Sequence, residues 1–185
     1  MKKLISHSLI ILTVVFSIGC NETPDPNENQ SKSDKNTAAT VGHLIEMNLE
    51  QYNIPAIVSI PDSSYGITSV EESPTGGVVV KVGNMFQIEV AEEGDLDLRK
   101  EDLKTGYESL VYTAEIIDEG DNFILFKQNT VNGDMAPKYR FYYVFEADGF
   151  TYSIQDWDEG GPYPEKAVQK MLHAAKLVKE LSSGA

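Results

Sequence analysis

Two stretches of this 185-residue chain alternate apolar and polar residues on either side of a turn dipeptide, and they restrict it to folds built on antiparallel sheet. In the first, Val78, Val80 and Val82 alternate with Val79 and Lys81. Gly83-Asn84 follows, and Phe86, Ile88 and Val90 then alternate with Met85, Gln87 and Glu89. This pattern predicts a hairpin with a two-residue turn, in which glycine supplies the positive φ. In the second, residues 139–146 and 150–155 flank Asp148-Gly149, a type I′ turn signal. Phe141, Tyr143 and Phe145 gather on one face with Phe150 and Tyr152 as partners, and such cross-strand pairs contribute about 0.2–1 kcal/mol each.

Weaker signals fill in the rest. Residues 54–60 read Ile-Pro-Ala-Ile-Val-Ser-Ile and stop at Pro61-Asp62. Proline cannot donate to a ladder, so this strand is expected at a sheet edge. Before it, residues 43–52 fit either a poor helix carrying Leu44, Met47 and Tyr52 or an irregular arm. Residues 66–71, 114–118 and 123–128 read as strands, with turns at residues 119–122 and at Asn132-Gly133. Asp95 or Asp97 caps a first helix in which Leu103, Tyr107, Leu110 and Val111 recur at helical spacing, carrying it to about Thr113. Pro164 opens a second helix. Its apolar stripe is Val168, Met171, Leu172, Ala175, Val178 and Leu181, opposed by Lys166, Lys170, Lys176 and Lys179. The order strands, helix, strands, helix predicts an α+β domain: an antiparallel sheet of about six to eight strands with two main helices.

The first twenty residues concern location. Lys2 and Lys3 precede an apolar run from residue 4 to residue 18, too short for the ~20 residues that span a bilayer. The run ends in Ser17-Ile18-Gly19-Cys20, and Cys20 is the sole cysteine. This segment resembles the lipobox of bacterial lipoproteins, with Ser17 standing where many members carry leucine. The resemblance implies that residues 1–19 are a signal peptide, that cleavage precedes Cys20, and that its thiol carries a diacylglycerol. Two or three acyl chains, as in that family, hold a protein to a membrane where one chain does so only marginally. Residues 21–40 are polar, with no large apolar side chain, and read as a disordered tether of roughly 25 Å. Residues 41–182 then form one domain of ordinary size. The expected location is a bacterial cell envelope, lipid-anchored and facing the periplasm or the cell exterior.

The order of elements in residues 41–182, with Tyr52-Asn53-Ile54-Pro55 leading to Ile60-Pro61-Asp62, resembles the Mog1/PsbP-like fold. That resemblance implies a binding or assembly protein and carries over no catalytic residue. Composition points the same way. The chain carries −14, and loss of Lys2 and Lys3 leaves about −16, which opposes binding to nucleic acid or flat docking on anionic lipid. With Cys20 lipidated, no thiol remains for catalysis, for a disulfide or for a cysteine-held zinc. Only His43 and His173 lie beyond the signal segment, and no nucleophile elbow, zinc helix or phosphate loop is present, so neither metal nor cofactor is expected. Asp95 and Asp97 start a calcium-loop pattern that Arg99 breaks.

Two places remain as candidate partner-binding sites. Residues 156–163 read Asp-Trp-Asp-Glu-Gly-Gly-Pro-Tyr and hold the sole tryptophan. Asp156, Trp157, Asp158 and Tyr163 form either a recognition loop for a cationic group or metal, or a core plug with acids near the final helix. Tyr142, with Val144, lies on the hairpin face opposite Tyr143, which is either an open aromatic surface or a second buried face. The expected function is a lipid-anchored envelope protein with a non-catalytic binding or assembly domain. The alternative is an envelope ligand carrier or hydrolase using the acidic loop around Trp157.

Overall fold

The structure is a computed structural model that describes residues 43–92, 94–105, 112–133 and 135–181. The signal segment, Cys20 and the tether lie outside the described residues. The strands are β1 (Leu44–Asn48), β2 (Ala56–Pro61), β3 (Thr68–Glu72), β4 (Val78–Val82), β5 (Phe86–Glu92), β6 (Tyr112–Glu119), β7 (Phe123–Thr130), β8 (Lys138–Ala147), β9 (Phe150–Asp156) and β10 (Lys179–Glu180). Two α-helices join them, α1 (Leu96–Thr105) between β5 and β6, and α2 (Glu165–Ala175) between β9 and β10. The fold is thus α+β and antiparallel. The described residues hold ten strands in two sheets, rather than one sheet of six to eight. Seven run in the order β3-β4-β5-β9-β8-β7-β6, and three in the order β1-β2-β10.

Alternation builds the large sheet. Val78, Val80, Val82, Phe86, Ile88 and Val90 all enter one buried cluster, together with Phe141, Tyr143, Tyr152 and Ile154. Met171, Leu172, Val168 and Ala175 of α2 cover that face, with Val58 and Ile60 of β2 joining from the small sheet. On the opposite face α1 lays Leu96 and Leu103 against Ile124 and Phe126, with Tyr142 and Val144 packed alongside. The large sheet is therefore covered on both sides around β8, by α2 on one face and on the other by α1, which packs on β6, β7 and β8. This is the second of the two arrangements open for the Tyr142 face.

The Asp148-Gly149 turn forms as expected. Ala147 pairs with Phe150, and both turn residues have positive φ, 50° and 80°. Phe145 stacks on Tyr152 with ring centres 5.4 Å apart. Phe150, by contrast, remains 54% exposed at the end of that face.

Several boundaries differ from expectation, each for a long-range reason. The β4–β5 turn has three residues, since Val82 pairs with Phe86 across Gly83, Asn84 and Met85. Residues 43–52 are a strand and a 3₁₀ turn, because β1 finds a full ladder on β2. β2 is central, not an edge. Its prolines do not interrupt it, because Pro55 precedes the ladder and accepts a bond from Leu181 N, while Pro61 ends it.

Asp95 is the cap of α1, its Oδ1 accepting from Leu98 N at 2.9 Å. That helix does not reach Thr113. Tyr112 and Thr113 belong to β6, where Tyr112, Ala114 and Ile116 turn inward alternately and pair with β7. Tyr107, Leu110 and Val111 lie outside the described residues. Likewise α2 stops at Ala175. Leu177 N and Val178 N close a tight turn onto Ala174 and Ala175 carbonyls, and Lys179 and Glu180 then pair with β2.

Candidate functional site

The chain contains two arginines, Arg99 and Arg140, and both line one cleft. Its volume is about 340 Å³, and Tyr112, Gln128, Lys138 and Asp158 complete the lining. Register explains the convergence. Lys138 and Arg140 sit two apart on β8, as Tyr142 and Val144 do, and so face α1. Across the strand Lys138 pairs with Gln128 and Arg140 with Phe126. Arg99 stands three residues after Leu96 and four before Leu103, on the helix face that packs onto this sheet. Its guanidinium carbon lies 5.6 Å from the Phe126 ring centre and 5.9 Å from that of Tyr142. Asp158 enters from the 3₁₀ turn Asp158–Gly160 that follows β9.

Two carboxylates hold Arg140, in different ways. Asp156 is 1% exposed, with Oδ2 at 2.6 Å from Arg140 Nε and Oδ1 accepting from Phe141 N at 2.9 Å. Asp158 is solvent-side. Its Oδ1 accepts from Arg140 Nη1 at 2.8 Å and stands 3.8 Å from Lys138 Nζ. Burial pushes the Asp156 carboxyl up, against the pull of Arg140 and the Phe141 N–H. Burial, then repulsion from Arg140, lowers Arg99, while Tyr142, Asp102 and Asp156 act the other way. Two guanidinium groups therefore repel across a half-enclosed space lined by hydrogen-bonding side chains. That arrangement is suited to hold an anion.

The residues singled out from sequence fall as follows. Trp157 is 8% exposed, and its backbone N donates to the Gln87 carbonyl at 3.0 Å. Tyr163 is buried beside it, its hydroxyl donating to the Trp157 carbonyl at 3.0 Å, and burial pushes that phenol well above its usual range. Tyr142 lies half-buried under α1, its hydroxyl accepting from Asp95 N at 3.3 Å. Asp156 and Asp158 meet on Arg140, but only Asp158 reaches the cleft. Trp157 and Tyr163 anchor the turn that presents it. Cys20 lies outside the described residues.

Sequence reading missed Arg99, Lys138 and Arg140. A signal existed: a chain that uses lysine almost everywhere spends its two arginines on inward positions, Arg99 between Leu96 and Leu103 and Arg140 in phase with Tyr142. Among the described residues, no group of three or more His, Cys, Asp or Glu is placed to hold a metal ion. No helix among them is long and apolar enough to cross a membrane. No protein-family model, curated protein or solved structure matches the chain.

Proposed function

We propose that this chain is a lipid-anchored bacterial envelope protein whose domain is a non-catalytic binding module, with the cleft between Arg99 and Arg140 as its ligand site. The single observation that carries the ligand site is the meeting of both arginines with Lys138 on a cavity of about 340 Å³, in a chain of net charge −14. Such a volume is at the small end of ligand pockets. Its walls offer charge and hydrogen bonds, the means of holding a ligand. The envelope address rests on the resemblance of residues 1–20 to a lipoprotein signal, with Cys20 as the membrane attachment and an envelope protein or small molecule as partner. The order of elements, with α1 and α2 on opposite faces of an antiparallel sheet, supports a likeness to the Mog1/PsbP-like fold.

Two measurements test this reading. Mass spectrometry of the mature N-terminus should find acylated Cys20 as the first residue; a retained Met1 or an unmodified thiol refutes the address. Native mass spectrometry of protein purified from envelopes should find a co-purifying ligand that Arg99→Gln removes. Retention unaffected by Arg99→Gln refutes the cleft as its site.

A further inference from the structure

We infer that the group recognised in the arginine cleft is an oxyanion, a carboxylate or a phosphate, and that Asp158 is an internal counter-ion which the ligand displaces. The inference rests on the reading of the cleft as the binding site.

The two carboxylates on Arg140 are not equivalent. Asp156 is sealed inside and stands against Nε as a buried ion pair. Asp158 pairs with Nη1 from the solvent side, and its side chain is 61% exposed. Arg140 is 13% exposed, but Asp158 is held from the solvent side alone, so a competing anion can take over its contact while the freed carboxylate regains water. A guanidinium offers parallel N–H groups that match both carboxylate and phosphate geometry.

Lys138 shares the same Asp158 oxygen at 3.8 Å. Asp158 thus already sits where two of the three cations converge, the position an incoming oxyanion would take. Arg99 lines the same space, and a ligand anion would join the three cations at once. It would also relieve the Arg99–Arg140 repulsion. Tyr112 and Gln128 add neutral hydrogen-bonding groups at the wall. Asp158 swings into solvent on the turn that Trp157 and Tyr163 anchor. Its carboxylate both shields Arg140 and Lys138 when the cleft is empty and rejects weakly charged ligands, a repulsive element that sharpens selectivity.

The oxyanion has two possible sources, a free small molecule or the phosphate of a lipid headgroup, and the test separates them. The lipid-free mature domain is titrated at low salt with inorganic phosphate, with succinate, and with phosphatidylglycerol vesicles. Trp157, the sole tryptophan and the neighbour of both Asp156 and Asp158, gives the fluorescence signal. Saturation by phosphate or succinate supports the free source, and saturation by vesicles alone supports the lipid source.

In either case Asp158→Asn should tighten binding about three- to tenfold, by removing both the competing carboxylate and its repulsion. Arg99→Gln should weaken it about ten- to a hundredfold. Lys138→Gln, at a more exposed position, should weaken it about threefold and serves if Arg99→Gln fails to fold. Silence toward all three probes overturns the inference, as does weaker binding by Asp158→Asn. If silence coincides with an Arg99-dependent envelope ligand, only the oxyanion assignment fails. If that ligand is also indifferent to Arg99, the cleft fails as a binding site altogether.

Discussion

Breaking the Arg140–Asp156 pair should destabilise the domain more than any surface change. Arg140→Gln leaves Asp156 at 1% exposure without a countercharge, with only the backbone N–H groups of Phe141 and of Asp156 itself to favour its carboxylate. Removing one member of a buried pair costs about 3–5 kcal/mol. With a urea m-value of about 2 kcal/mol/M, a loss near 4 kcal/mol lowers the midpoint by about 2 M. The assay is equilibrium urea unfolding followed by Trp157 fluorescence, on wild type, Arg140→Gln, Asp156→Asn and the double variant. The double variant replaces the ion pair with two amides and should recover about 2 kcal/mol relative to the sum of the single losses. Arg140→Gln should also regain stability in acid, where Asp156 takes up a proton. A loss below about 1 kcal/mol for Arg140→Gln at neutral pH, or strict additivity in the cycle, would show that the pair behaves as a surface pair and refute the reasoning.

Other expectations follow from burial and capping. Met171→Ala, at a fully buried position of α2 where the sulfur accepts from Gln87 N at 3.3 Å, should cost about 2–5 kcal/mol in the same unfolding assay. Asp95→Ala removes the cap bond to Leu98 N and should cost about 1 kcal/mol, seen as faster amide exchange in α1. Burial holds the Asp156 carboxyl above its ordinary 3.8, so the folded chain keeps that proton to higher pH than the unfolded chain. Its contribution is therefore complete below about pH 3.8 and is lost as pH rises through the folded value. Wild type should lose ground to Asp156→Asn as pH is raised from that point towards neutrality, and a difference independent of pH would contradict this.

What the sequence revealed depended on distance along the chain. The Asp148-Gly149 hairpin was legible because its turn, alternation and aromatic pairing all lie within about twenty residues and agree with one another. The α1 cap was legible for the same reason. The place of β2 was not, because its second neighbour is β10, from the far end of the chain, and no local pattern announces a two-residue strand. The apolar stripe of α2 continued in phase through Val178 and Leu181, yet the backbone there left the helix to reach β2. In the first helix, the apolar spacing through Val111 hid the switch to period two that begins at Tyr112.

The site was half legible. Asp156, Trp157, Asp158 and Tyr163 stood out by composition, and the turn they form does border the cleft. Their division of labour was invisible, because Asp156 and Asp158 differ only in how the tertiary structure buries them. The cations opposite were hidden by register. Only the pairing of β8 with β7, and the seating of α1 over both, brings Arg99 within reach of Arg140.

The most direct measurement uses the fact that there are two arginines. In a proton–nitrogen correlation spectrum of the mature domain, their side chains give two Nε–H resonances. Of phosphate, succinate and phosphatidylglycerol, at least one should shift both together along one saturation curve, with the Asp158 amide resonance moving in step. Two arginine signals that remain in place with all three, or that drift linearly and independently, would mean that the cleft does not bind an oxyanion.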